Sequence, residues 1–310
     1  MITRRKAVAS TCAALMPGFV LRFAPAYAQE SPVKAIATFS ILADFVRNVG
    51  GGRADVAALV GPNGNAHVYA PSPADAKKVA DAKVVFVNGL GFEGWLDRLV
   101  KASASTAPVI VASKGIKPIE RSADDHGAAH EHDHGRADPH AWQSVPNAKI
   151  YVANIRDALA ALDPAGKPVY ESNADSYLGK LDALDREVRD VIASIPADRR
   201  RVITSHNAFD YFGAAYGINF TAPQGVSTES EASAKDVAAI ITQIRRDKAA
   251  AVFLENVTDP RLMRQIATET GAKVGGVLYS DALTDPSRDA PTYIDLIRHN
   301  LKQLAAALTS

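Results

Sequence analysis

The stretch KPVYESNADSYLGKLDALDREVRDVIASI, residues 167–195, carries Tyr170, Tyr177, Leu178, Leu181, Leu184, Val188 and Ile192 at helical spacing. Apolar side chains so spaced form one face of an α-helix. At 1.5 Å per residue, a helix of about 29 residues reaches roughly 40 Å, enough to run along two domains as a stiff spine. A flexible hinge is not what this linker suggests.

On either side, short runs rich in Val, Ile and Phe alternate with longer amphipathic stretches, the pattern of βα units on a largely parallel sheet. Ahead of the spine, strands are expected at 34–38, 55–60, 83–88 and 108–112, and helices at 41–49, 73–81 and 92–103. Behind it, strands are expected at 201–205, 218–222, 250–255 and 275–279, and helices at 208–216, 234–248, 260–270 and 292–308. The fold class is therefore α/β: two βα-type lobes, spanning 29–165 and 197–310, joined by a long rigid helix at 166–196.

The first 28 residues read as a secretory leader, with Arg4, Arg5 and Lys6, an apolar stretch over 7–20, and Ala26-Tyr27-Ala28 as a small-residue cleavage site. Pro17 and Arg22 leave too short an apolar run to span a bilayer. The Thr3-Arg4-Arg5-Lys6 start fits a twin-arginine signal and an ordinary secretory one alike. Cleavage near Ala28 would place the mature chain in a periplasm. Cys12, the only cysteine, leaves with the leader, so a metal site must use nitrogen and oxygen. The leader holds four cations and no acid, and its removal takes the formal charge from +1 to −3. No basic surface for nucleic acid remains.

Of the eight histidines, three stand singly in turn-like contexts. His67 lies in the Gly- and Pro-dense loop after the strand 55–60, His140 in Asp138-Pro139-His140-Ala141-Trp142, and His206 directly after the strand 201–205. Asp281 follows the strand 275–279 in the same topological position. Ligands in open α/β sheets bind beyond the carboxyl ends of strands. Taken singly, each residue has an ordinary reading, as a surface or hydrogen-bonded histidine or as a helix cap. Taken together, three imidazoles and a carboxylate make a closed four-coordinate shell suited to zinc. A further four histidines, His126, His130, His132 and His134, crowd an acidic, Gly- and Ala-rich segment at 122–136. That segment reads as a surface loop, either a solvated insertion or an auxiliary site of transient metal capture.

Four motifs carry a resemblance to a known family: His67 to Pro73 as His-x-Tyr-x-Pro-x-Pro, Asp138-Pro-His-Ala-Trp142, Thr204-Ser-His-Asn-Ala-Phe209 with Tyr211-Phe212, and Tyr279-Ser-Asp281. The mature chain resembles the zinc- and manganese-binding solute receptors of ABC importers, cluster nine or A-I. The resemblance implies two α/β lobes with the metal in the cleft between them, and assigns His67, His140, His206 and Asp281 as its ligands. It also implies a monomeric receptor, not an enzyme, that serves an ABC permease in the inner membrane, with a periplasmic metallochaperone as a further candidate partner.

Members that favour manganese commonly present glutamate where this chain has His206, so the third imidazole resembles the zinc-preferring members; manganese or iron is the alternative cargo. The chain departs from the family pattern at Asn65-Ala66, where Asp-Pro is usual, and at Ala70, where an acid is usual. A zinc hydrolase is disfavoured, because Asp281 would fill the position an activated water needs and no His-Glu-x-x-His helix is present. An adhesin is disfavoured by the lack of a cysteine near the cleavage site.

Overall fold

The structure is a computed structural model and describes residues 31–120, 137–247 and 249–309. The expected leader at 1–28 and the segment bearing His126, His130, His132 and His134 lie outside the described residues. Among the described residues, no helix is long and apolar enough to cross a membrane.

The first lobe is built from β1 (Val33–Phe39), α1 (Ser40–Gly50), β2 (Ala54–Val60), α2 (Pro73–Asp81), β3 (Val84–Val87), α3 (Leu96–Ser103) and β4 (Val109–Val111). Its strands are all parallel, in the order β2-β1-β3-β4. The second lobe contains β5 (Arg201–Ile203), α6 (Asp210–Tyr216), β6 (Asn219–Thr221), α7 (Ala234–Asp247), β7 (Ala251–Glu255), α8 (Arg261–Thr270) and β8 (Val274–Leu278). It repeats the arrangement as β6-β5-β7-β8, again parallel. In each sheet the strand order reverses beside the first strand of the lobe, which leaves a crevice at the carboxyl ends of β1 and β3, and of β5 and β7.

Local chemistry sets where the elements begin. Helix α2 starts at Pro73, as expected, because Ser72 and Asp75 form a capping box and proline suits the first helical position. Helix α3 starts four residues later than the expected Phe92. Glu93 turns inward instead, accepting hydrogen bonds from Thr38 Oγ1 at 2.6 Å and from the Asn88 and Gly89 amides at 2.6 and 3.2 Å. Gly89 has φ +83°, and a Cβ there would lie 2.5 Å from Val111 Cγ1, so this turn requires glycine. The 18-residue α4 (Val145–Leu162) is additional to the elements read from the pattern.

The spine is α5 (Lys167–Ser194), whose buried face is Tyr170, Ala174, Tyr177, Leu181, Leu184, Val188 and Ile192. It packs on α1 and α4 on one side, and on α6 and α9 (Tyr293–Leu308) on the other. One apolar cluster runs from Ala35 through this face to Leu308, and a smaller one, including Ile240, Ile244, Met263 and Ile266, lies beneath α7 and α8. Each fully buried aliphatic side chain contributes about 1.5 to 3 kcal/mol, so the spine is held to both lobes by packing. Polar ties join the two lobes directly: Tyr293 donates from its amide to Asp44 Oδ2 at 3.0 Å and from its hydroxyl to Trp142 O at 2.7 Å.

Candidate metal centre

His67 is presented by the loop between β2 and α2. Asn63 in that loop has φ +56°, a left-handed conformation that asparagine tolerates better than most residues. Asn65 Oδ1 accepts from the His67 amide at 3.0 Å, and Trp95 Nε1 donates to Ala66 O at 2.8 Å. The backbone carrying His67 is thus fixed from both sides.

His140 sits in the tight segment ahead of α4. Asp138 Oδ1 lies 2.9 Å from the His140 amide and 2.7 Å from its Nδ1. A carboxylate at Nδ1 selects the tautomer with the proton there and frees Nε2 as a donor to a metal. Asn88 Nδ2 donates to Pro139 O at 2.9 Å and the Tyr211 hydroxyl to Asp138 O at 3.2 Å, which locks the turn.

His206 and Glu255 face each other across the second lobe's crevice, one just beyond β5 and the other ending β7. Glu255 Oε1 accepts from the Ser205 and His206 amides at 2.6 and 3.0 Å. Its Oε2 stands 2.6 Å from His206 Nδ1, a close charge contact rather than an aligned hydrogen bond. Asp281, just beyond β8, is wholly buried, and neither of its oxygens has a hydrogen-bond partner among the described residues.

These four side chains converge. His67 Nε2 lies 3.2 Å from His140 Nε2 and 3.3 Å from Asp281 Oδ2; His206 Nε2 lies 3.2 Å from Oδ2, and His140 Nε2 3.5 Å from Oδ1. All four offer a donor atom within 4.8 Å of the others. A tetrahedral ion with bonds of about 2.0 to 2.1 Å needs donors about 3.3 Å apart, the spacing of these close pairs. The rings of Phe92 and Trp142 wall the cluster, with Phe92 centred 4.8 Å from His67 and 4.9 Å from Trp142. Such walls exclude water and strengthen every electrostatic contact inside.

Burial opposes charge on His67, His206 and Asp281. For His67 it prevails and pushes the pKa below the ordinary imidazole value. For His206 burial is outweighed by the carboxylates of Glu255 and Asp281, which hold the pKa well above that value. Burial also works against a charged Asp281, but His206 and His140 hold its carboxyl well below the ordinary range. A divalent cation arriving at the cluster competes with protons for the imidazole nitrogens.

The four residues singled out in the sequence are the ones the structure brings together. His299 lies elsewhere, 3.0 Å from Val277 O through its Nε2. Sequence reasoning did not assign the residues that aim the cluster: Asp138, Glu255 and Asn65. Glu255 had a signal, as an acid ending a strand that is otherwise wholly apolar, and Asp138 lies two residues before a ligand candidate. Asn65 showed only as a departure from the family pattern.

Two parallel α/β lobes closing on a buried cluster of three imidazoles and one carboxylate define a receptor for a divalent metal ion. The family model described as "Zinc-uptake complex component A periplasmic" matches residues 36–307. The chain belongs to this ZnuA family of periplasmic metal-binding receptors of ABC importers, which are transport proteins and not enzymes. It is 35% identical to the iron-binding protein YfeA of Yersinia pestis, over 88% of this chain and 85% of that one. It is 30% identical to the manganese ABC transporter substrate-binding lipoprotein PsaA of Streptococcus mitis, over 91% of both. The periplasmic zinc-binding protein TroA of Treponema pallidum superposes with a TM-score of 0.81 at 29% identity, over 90% of this chain and 99% of that one.

Proposed function

We propose that the protein captures one zinc ion in the periplasm through His67, His140 and His206 at Nε2 and through the Asp281 carboxylate, and delivers it to an inner-membrane permease and its ATPase. The observation that carries this reading is the convergence of three Nε2 atoms on Asp281. Imidazole is a softer ligand than carboxylate and favours zinc over manganese. A divalent cation also compensates the charge of the buried Asp281 carboxylate. Export would follow cleavage of the leader near Ala28, and His126, His130, His132 and His134 would serve as a weaker, auxiliary capture site. The receptor acts as a monomer in this reading.

A second reading, manganese or iron, has its own support. Both oxygens of Asp281 face the cluster, Oδ2 toward His67 and His206 and Oδ1 toward His140. A bidentate carboxylate would give five donors, a number suited to ions that prefer higher coordination. Relatives named for manganese and iron agree with it.

Competition titrations of zinc and manganese against one chelator, on the wild type and His206→Glu, separate the two. The zinc preference is expected to narrow in the variant, mostly through weaker zinc binding. Circular dichroism must accompany the titration, because the new carboxylate stands beside Glu255. An unchanged zinc-to-manganese ratio in a folded variant would remove the case for zinc.

A further inference from the structure

The loop bearing His67 is fastened across the cleft to the second lobe at two points. Asn65 Nδ2 donates to Thr228 Oγ1 at 2.8 Å and to Val257 O at 3.2 Å, while Asn65 Oδ1 holds the His67 amide. The Asn63 amide donates to Leu283 O at 2.8 Å. Both anchor carbonyls belong to loops of the centre itself. Val257 is two residues beyond Glu255, which contacts His206, and Leu283 is two residues beyond Asp281.

His67 is also the outermost of the four. It retains 6% exposure where His140, His206 and Asp281 have none, and it lines a surface cavity of about 60 Å³. The walls of that cavity come from both lobes: Leu90, Gly91 and Phe92 on one side, and Val226 and Ser227, the residues just before Thr228, on the other. An ion leaving by this route first loses His67. For His67 to swing away on its loop, Asn65 must part from Thr228 and Val257.

We propose that Asn65 is a positioning residue that sets the residence time of the ion, as a clasp holding the His67 loop against the second lobe. This rests on the four-ligand reading above. Asn65 touches no donor atom of the centre, so its loss should leave one ion bound and should act mainly on the rate of release. Three variants divide its contacts. Asn65→Ala removes all of them. Asn65→Asp keeps an acceptor for the His67 amide and turns the donor facing Val257 O into a second acceptor. Thr228→Val removes only the hydroxyl across the cleft.

The test loads each mature protein with one equivalent of zinc and follows transfer to excess EDTA by stopped flow, with uptake rates and metal-free melting temperatures measured alongside. Release is expected to quicken by about tenfold in Asn65→Ala and Asn65→Asp and by about threefold in Thr228→Val, the scale of the hydrogen bonds lost. Uptake rates and the stoichiometry of one should hold. The double variant Asn65→Ala with Thr228→Val should release no faster than Asn65→Ala alone, because the two share a contact. Wild-type release from Asn65→Asp and Thr228→Val, or effects that multiply in the double variant, would overturn the clasp. Should Asn65→Ala not fold, Thr228→Val and Asn65→Asp decide the matter. Wild type failing to hold one zinc at all would instead overturn the four-ligand reading, and the clasp with it.

Discussion

Glu255 holds His206 in two ways at once: one carboxylate oxygen accepts the amides of Ser205 and His206, and the other stands 2.6 Å from the imidazole Nδ1. The ring is thereby both aimed and made more basic. Glu255→Gln keeps the shape but loses the charge. Zinc affinity is expected to fall by about 10- to 100-fold, the usual effect of removing a partner that orients a metal-ligating histidine. Competition titration against a chelator measures it, and an unchanged affinity would show that Glu255 serves the fold alone.

The second prediction follows from the proton on His206. Only neutral imidazole ligates, and Glu255 with Asp281 holds His206 protonated well above the ordinary value. Uptake near neutral pH should therefore release a proton, and apparent affinity should fall about tenfold per pH unit on acidification. His67, lowered by burial, adds its own proton only at more acid pH. Calorimetry in buffers of different ionisation enthalpy counts the protons released, and flat affinity from pH 6 to 8 would contradict the assignment.

The same groups shape the stability of the metal-free protein, with opposite signs. His206, raised on folding, stabilises the fold fully below about pH 6.5, and that contribution fades as pH climbs through the folded value. Asp281, lowered on folding, stabilises above about pH 3.9 and loses its contribution in acid. The metal-free melting temperature is expected to peak between these values, and bound zinc should shift the optimum upward in pH. Thermal scans from pH 4 to 9, with and without zinc, test this.

Asp44 gives a prediction away from the centre. Burial raises its pKa despite the hydrogen bond from the Tyr293 amide. A raised carboxyl stabilises at low pH and costs stability as pH rises through its folded value. Asp44→Asn, which can still accept that bond, should therefore gain stability relative to wild type between pH 4 and pH 7. Metal stoichiometry should stay at one. Paired thermal melts at the two pH values decide it.

Deleting residues 124–135 should leave tight binding of one ion intact and remove any additional weak sites, because all four proposed ligands lie outside that segment. Calorimetry on the folded deletion protein checks it. Loss of the tight site would mean that the ligands are misassigned.

What the sequence made legible was periodic or local. The spine's apolar stripe, the start of α2 at Pro73 and the strand-end positions of His67, His206 and Asp281 are all written within a few residues of one another. The start of α3 was not, because Glu93 turns toward Thr38, 55 positions away in the chain. Nor were the residues that aim the centre: Glu255 meets the amide of His206 across 49 positions and Asn65 meets Thr228 across 163. Such contacts exist only once the chain has folded, and the one from Asn65 only once the two lobes have come together.

The shared strand order of the two sheets has a consequence for how long cargo is kept. Each lobe brings two of the four proposed ligands, His67 and His140 from one and His206 and Asp281 from the other. Half a coordination shell grips an ion far more weakly than a whole one, so neither lobe retains the cargo alone. The complex can therefore persist no longer than the less durable lobe stays folded. Local melting of either one would spill the ion, and a substitution far from the centre that hastens such melting would present, in a growing cell, as a defect in metal uptake.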